Sequence, residues 1–540
     1  MAKKVFYDDD ARARVIGGAQ ALYDAVKVTM GPKGRNVVIQ KGYGGPTVTH
    51  DGVTVAEGID LPDDDDATLG YKVGAELIKQ AATKMNKAAG DGTTTVTVLT
   101  YNILKEANRL IAAGHNPMEL RREVEQAGSK VLSALEKLSE PVAGKQNRVA
   151  EVATISAGDK EIGELIAAVI DKVGKEGVVT VEEGKGLKME SEVVEGFTFD
   201  RGYVSPYLVT DTARMEAAYE KPAIVITDGK VSSVQDFLPI LEKLAQAGKK
   251  DVVLIAEDVE GEALGVLILN KLKGVFNTVA VKAPSFGDRR KDILEDIAIL
   301  TGATVISADR GVTFENADLS VVGTARKVIV TKDETTVIEG AGSVADVKNR
   351  ISQIKAQAEA ATSEYDKENY DKRAAALSGK VAVIKVGGAT ETEIEEKKFR
   401  VDDAVAATKA ALAEGIVPGG GVTLVNLADG LKGSEAGTSL LREALYQPFR
   451  QLMKNAGLNA DALLAQVQAA KAGSGIDVNT PNGGVVDMKA HGVVDPVMVT
   501  KQAIQNAVSI AATAMTMGAL VVDIPEKEAP AAPPMGGMGY

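Results

Sequence analysis

Three glycine-rich patches carry residue types that could hold a phosphate. The first, Thr29-Met30-Gly31-Pro32-Lys33-Gly34-Arg35, follows an apolar-periodic segment at residues 19–28. Two glycines around a proline make a tight turn whose exposed amides can approach an anion closely. Such a turn, taken alone, is usually just a turn. Residues 36–40 and 47–50, joined by a Gly-rich link, read as a β-hairpin. A hairpin returns its second strand beside the start of its first, so Asp51 is expected near the Gly31 turn. The second patch, Gly90-Asp91-Gly92-Thr93-Thr94-Thr95, opens a helix expected over residues 96–111. Free amides and the positive dipole end make a helix start an anion site. The threonines add hydroxyls, and Asp91 offers the anionic oxygen that Mg²⁺ prefers. In isolation, Asp91 or a threonine acting as a simple cap is the favoured reading. That reading leaves unexplained three poor helix formers in a row behind two glycines. The third patch, Pro418-Gly419-Gly420-Gly421, follows a helix containing Asp402 and Asp403. It is either a flexible turn or backbone in close contact with a sugar or phosphate. No Walker-type Gly-x-x-x-x-Gly-Lys-[Ser/Thr] sequence occurs, and no Gly-x-Gly-x-x-Gly follows a strand, so neither a P-loop nor a Rossmann site is supported.

The elements that must position these patches are mostly helical. Apolar residues recur at three- and four-residue spacing over 74–89 and 96–111, and a further helix is expected over 401–413, stopping at Gly415. Between about 177 and 386 the texture changes. Short β-rich runs at 223–227, 252–256 and 328–331 alternate with helical segments, which argues for an α/β domain. Helical texture then returns. The Pro- and Gly-rich residues 526–540 read as a mobile tail, and the acidic run at 63–66 reads as a solvated loop.

Composition narrows the function. The 540 residues exceed one hydrophobic core. Cysteine is absent, which removes disulfides, thiolate nucleophiles and iron–sulfur clusters together. The three histidines, His50, His115 and His491, are far apart, so a His-based metal site or a Ser/His/Asp triad is not expected. A net charge of −13 and 4% aromatics argue against nucleic acid as a partner. No apolar run reaches the ~18 residues that span a bilayer; residues 509–522 come nearest. With no hydrophobic signal region at the N-terminus, the sequence reads as cytoplasmic, with no membrane partner.

Six segments in order carry a family resemblance: VTMGPKGRNVV (28–38), DGVTVA (51–56), AAGDGTTT (88–95), EDVEGEAL (257–264), VKAPSFGDRRK (281–291) and EGIVPGGG (414–421). Together with the Gly-Gly-Met tail, they resemble the bacterial GroEL type of chaperonin (group I, 60 kDa class), collinearly over essentially the whole chain. The resemblance implies a multidomain α/β fold. A largely α-helical equatorial ATP-binding domain would span 1–137 and 414–540, a small hinge domain 138–194 and 382–413, and an α/β apical domain 195–381. It also implies two stacked seven-subunit rings, a small heptameric co-chaperonin, and non-native proteins as clients.

The resemblance assigns residues as follows. Thr29, Met30, Gly31 and Pro32 match the first nucleotide loop. Asp91 matches the Mg²⁺ ligand, and Gly92, Thr93, Thr94 and Thr95 the phosphate contacts beside it. Asp51 matches a carboxylate that positions the attacking water. Asp403 matches a hinge-domain aspartate swung onto the nucleotide on closure. Gly420 and Asp495 match ribose contacts. Asp477, Val478 and Asn479 fall at the adenine loop, where the family usually has Asn and two small residues. His50 replaces a usual lysine; a role through its backbone carbonyl, as on K⁺, would survive the change. Ala413 replaces a usual acidic residue, and the loop near 63–69 is longer. The expected cofactors are ATP, Mg²⁺ and K⁺. Apical candidates for client binding are Tyr203, Tyr207, Leu208, Leu238, Leu241, Leu264, Ile268 and Leu269. By spacing alone, Leu264, Ile268 and Leu269 read as a core stripe; only the family match turns them outward. Two other classes would use similar residues: a small-molecule phosphotransferase, and a non-hydrolysing scaffold on the same fold.

Overall fold

The computed structural model describes residues 2–40, 46–62, 65–174, 177–184, 186–212, 214–361, 363–480 and 484–524. The link at 41–45, part of the acidic run at 63–66 and the tail at 526–540 lie outside the described residues. The architecture is mixed α/β, as expected from the texture of the sequence. The chain divides into two compact units, one of Met1–Ala168, Glu183–Met189 and Val386–Tyr540, the other of Val169–Glu182 and Glu190–Lys385.

The first unit is built on long helices: Asp8–Val26, Tyr71–Ala89, Thr93–Ala112, Pro117–Glu136, Ala436–Asn455 and Val497–Ala514. Helix Tyr71–Ala89 shows why they pack. Its buried residues Gly74, Ala75, Ile78, Ala81, Ala82, Met85 and Ala89 fall on one face. It starts and stops at left-handed glycines, Gly70 (φ +96°) and Gly90 (φ +66°). Against it lies Asp8–Val26, and the two backbones nearly touch. A Cβ on Gly18 would sit 1.7 Å from the Tyr71 carbonyl oxygen, and one on Gly74 1.9 Å from that of Val15. Leu22, Ile78, Met85, Leu99, Ile103, Leu120, Leu135 and Phe449 fill the core between these helices.

Two expected boundaries shift. The helix expected over 401–413 runs from Glu391 to Glu414. Its first turns carry no apolar period because they are held by polar pairs instead: a Thr390 cap, Glu393 with Lys397 at 2.7 Å, and Glu396 with Arg400 at 2.8 Å. The three threonines at 93–95 lie inside the first turn of their helix, because left-handed Gly92 is its N-cap. Among the described residues no helix is long and apolar enough to cross a membrane. The nearest stretch breaks after helix Val497–Ala514 and resumes as strand Ala519–Asp523.

The second unit is centred on a nine-stranded sheet. Asn277–Lys282, Asp251–Ala256 and Ala223–Ile226 run parallel, and Gly323–Val330, Thr335–Gly340, Glu190–Phe199 and Lys380–Val386 continue antiparallel. The parallel strands are apolar without alternation, as strands covered on both faces must be: Ile224, Val225, Val253, Leu254, Val279 and Ala280 are fully buried. Helices Val234–Gln246, Gly261–Leu272 and Gly287–Thr301 connect them. Asp296, 1% exposed, is balanced by Arg350 at 2.7 Å and Arg373 at 2.8 Å.

Candidate functional site

The glycine patches of the sequence converge within the first unit. Strands Val37–Ile39 and Thr47–Thr49 pair antiparallel, so the hairpin forms and Asp51 and Gly31 line one cavity. Asp51 is the N-cap of the short helix Gly52–Glu57. Its carboxylate accepts the amides of Val53 (3.2 Å) and Thr54 (2.9 Å) and the Thr54 hydroxyl (2.6 Å). Thr29 Oγ1 lies 3.0 Å from Thr94 Oγ1, joining the first patch to the second. Asn455 pins the first loop by donating to the carbonyls of Lys27 and Met30. Gly52 must be glycine: a Cβ there would lie 2.5 Å from Thr94 Oγ1 and 3.0 Å from its amide nitrogen.

The cavity measures about 570 Å³. Thr29, Met30, Gly31, Pro32, His50, Asp51, Asp91, Gly92, Thr93, Thr94 and Thr95 line it from one part of the chain. Asp403, Gly420, Asp477, Val478, Asn479 and Asp495 line it from another. Asp495 lies on strand Val494–Pro496, opposite Val417. Its Oδ1 stands 2.9 Å from where a Gly419 Cβ would be, so the glycine run lets backbone and carboxylate meet. Asp477 closes a small turn by accepting the Asn479 amide at 2.9 Å and the Thr480 hydroxyl at 3.1 Å.

Electrostatics set this cavity apart. Burial, then the charges of Asp51, Asp91 and Asp402, hold the Asp403 carboxyl well above the usual carboxylate range. Burial and Asp51 also raise Asp91, against the Gly92 amide and the Ser156 hydroxyl. Burial, then Asp91, pushes Asp495 up to about 7. The His50 imidazole is lowered by burial, with Glu396 and Asp51 opposing and Arg400 assisting. Buried carboxylates raised by neighbouring carboxylates, beside the free amides of a helix start, form a pocket in which a polyanion with a hard cation relieves both excesses. Among the described residues no three His, Cys, Asp or Glu side chains are grouped as a ready-made metal site.

Sequence reasoning missed Val152, residues 154–158, Glu396, Phe399 and Arg400 of the cavity wall, Ser156 among them. Ser156 lies in no glycine-rich patch or charge run, and only the packing of helix Gln146–Ala157 brings it to Asp91. Arg400 lies in the charge run 395–403, which reads as a solvated helix face.

The eight apical candidates all fall in the second unit. Tyr207 (70%), Leu269 (49%) and Leu238 (42%) are exposed. Tyr203, Leu264 and Ile268 are partly buried against the core. Leu208 and Leu241 differ from expectation: they are buried at 0% and 5% and offer no apolar surface in this conformation. Leu241, on helix Val234–Gln246, is packed into the core of the unit. Leu208 is drawn inward by its short 3₁₀ turn, whose carbonyl is held by Lys271 Nζ at 2.6 Å.

This site and this fold have a family. A model of the TCP-1/cpn60 chaperonin family matches residues 22–525, and the chain belongs to that family. The protein is thus a chaperonin, one that assists the folding of other proteins. The family forms oligomeric rings, handles client proteins and has ATPase activity.

Proposed function

We propose that this chaperonin is of the bacterial, group I type. It captures non-native polypeptides on apolar apical surfaces and encloses them in a ring with a small heptameric co-chaperonin, on a cycle timed by Mg²⁺–ATP hydrolysis. The reading takes two stacked seven-subunit rings and three domains per chain: equatorial (1–137, 414–540), hinge (138–194, 382–413) and apical (195–381). One observation supports its nucleotide cycle: Asp51, Asp91 and Asp403, from three separate segments, share one cavity with a helix start and the Thr93–Thr95 hydroxyls.

In this reading the Thr93–Thr95 amides and hydroxyls bind the phosphates. Gly420 and Asp495 hold the ribose, and residues 477–479 border the base. Asp91 holds Mg²⁺, which neutralises phosphate charge when bound; the His50 carbonyl is the candidate K⁺ ligand. Asp51 and Asp403 orient a water toward the γ-phosphorus and accept its proton. Asp403 suits that last role because burial and its carboxylate neighbours raise its affinity for a proton. Catalysis is otherwise positioning and charge stabilisation.

The test is Asp403→Ala. Nucleotide affinity should stay within about twofold of the parent, while steady-state ATP turnover falls by ~10²–10⁴-fold, the usual contribution of a positioned base. Near-normal turnover in that variant would overturn the assignment.

A further inference from the structure

Asp91 is gripped from two sides. Its Oδ1 accepts the Gly92 amide, and its Oδ2 accepts the Ser156 hydroxyl at 3.0 Å. Ser156 comes from the last turn of helix Gln146–Ala157, which stops at left-handed Gly158. Its hydroxyl points an unusual way. Helical Ser and Thr hydroxyls commonly bond the carbonyl four residues back, as those of Thr97, Thr100 and Thr408 do here. Ser156 instead donates away from its own helix, to a carboxylate of another segment. Its turn is also tied down: the next carbonyl, Ala157 O, accepts Arg400 Nη1 at 3.2 Å. Arg400 in turn pairs with Glu396, both on helix Glu391–Glu414, which carries Asp403.

We propose that Ser156 is a positioning residue for Asp91, fixing the plane of its carboxylate so that the lone pairs still unused face the cavity and a phosphate-bound divalent cation. The proposal rests on the reading of this cavity as a Mg²⁺–nucleotide site. An ionised carboxylate offers about four lone-pair directions. Gly92 and Ser156 take one on each oxygen, which sets the rotamer and leaves the others open. Because Arg400 secures the turn, the hydroxyl is placed by the same helix that carries Asp403. Partners of this kind, which hold a metal ligand without touching the metal, are typically worth 10–100-fold in metal affinity.

The experiment is equilibrium binding of a fluorescent ADP to the full-length chain while Mg²⁺ is titrated, with Mn²⁺ binding followed by electron paramagnetic resonance. Ser156→Ala should need roughly tenfold more Mg²⁺ for half-maximal nucleotide binding. Its affinity for nucleotide without metal, and its Tm, should match the parent. Ser156→Thr, which keeps the hydroxyl, should titrate like the parent, and Ser156→Cys, a weaker donor of similar size, should fall between. A helix-packing role would move Tm or the metal-free affinity instead. Superimposable Mg²⁺ titrations of the parent and Ser156→Ala would overturn the role of Ser156 and leave the site reading standing. A parent chain that binds no nucleotide at any Mg²⁺ concentration would sink both.

Discussion

Asp495 sits on a short strand, paired through Val417 to the segment that leads into the glycine run, and its carboxyl is pushed up to about 7 by burial and by Asp91. The sign of the consequence is fixed. Between about pH 4 and 7 the unfolded chain gives up this proton while the folded chain keeps it, so stability falls as pH rises through that window. Above pH 7 the full penalty of a buried charge is present. Asp495→Asn removes the charge and keeps the shape. Melting followed by circular dichroism should show little change in Tm near pH 4, a small rise at pH 5 and a larger rise of a few degrees at pH 8, where the whole penalty is present. Equal Tm values for parent and variant at pH 8 would mean the carboxylate is solvated after all. In the reading proposed above, nucleotide affinity should fall in the same variant, since the ribose would lose an anionic acceptor. Stability and binding would then move in opposite directions, as expected where a site keeps a costly charge for function.

At the scale of elements, helix starts and tight turns were legible in the sequence because their chemistry is local. Gly31-Pro32, Gly90-Asp91-Gly92 and Pro418–Gly421 each announce a turn, and the hairpin brings Asp51 to them as expected. The shared cavity was not readable from spacing; there the family resemblance did the joining. The first turns of Glu391–Glu414 were hidden because charge pairs, not an apolar stripe, hold them. The burial of Leu208 was hidden because its core neighbours, and the Lys271 that donates to its carbonyl, lie far along the chain. The glycines within helices divide the same way. Gly18 and Gly265 look alike in sequence, yet a Cβ at Gly18 would strike the Tyr71 backbone, while one at Gly265 meets nothing within 4 Å. Gly18→Ala should therefore force two helices apart and destabilise the first unit by ~1–3 kcal/mol or more. Gly265→Ala, in helix Gly261–Leu272, should stabilise the second by ~0.5–1 kcal/mol. Urea denaturation of the two variants reads both signs, and a stabilised Gly18→Ala would refute the close crossing.

For the whole molecule, the question is how a surface that is apolar only in patches can hold an unfolded chain. Each copy exposes Tyr207, Leu238 and Leu269 on the second unit, while Leu208 and Leu241 are spent on its core. A single such patch is small, and scattered apolar residues of this kind are ordinary on a monomer. Ring assembly, a property of the family, changes the arithmetic. Repeated copies of a weak patch make every contact after the first intramolecular, and avidity can exceed single-site affinity by 10²–10⁴-fold. The converse follows: a small loss per copy is multiplied around the ring. Leu269→Ser removes roughly 1–2 kcal/mol of apolar contact per site at most, yet capture of a urea-denatured client should fall by far more than tenfold. Sedimentation should find the oligomer unchanged, because Leu269 is half exposed and carries little of the fold. Leu208→Ser is the matched control. It should lower Tm by creating a polar cavity in the core, and its effect on capture should follow the unfolded fraction alone. If Leu269→Ser rings capture clients as the parent does, the client surface lies elsewhere on the molecule and the exposed stripe of helix Gly261–Leu272 serves another contact.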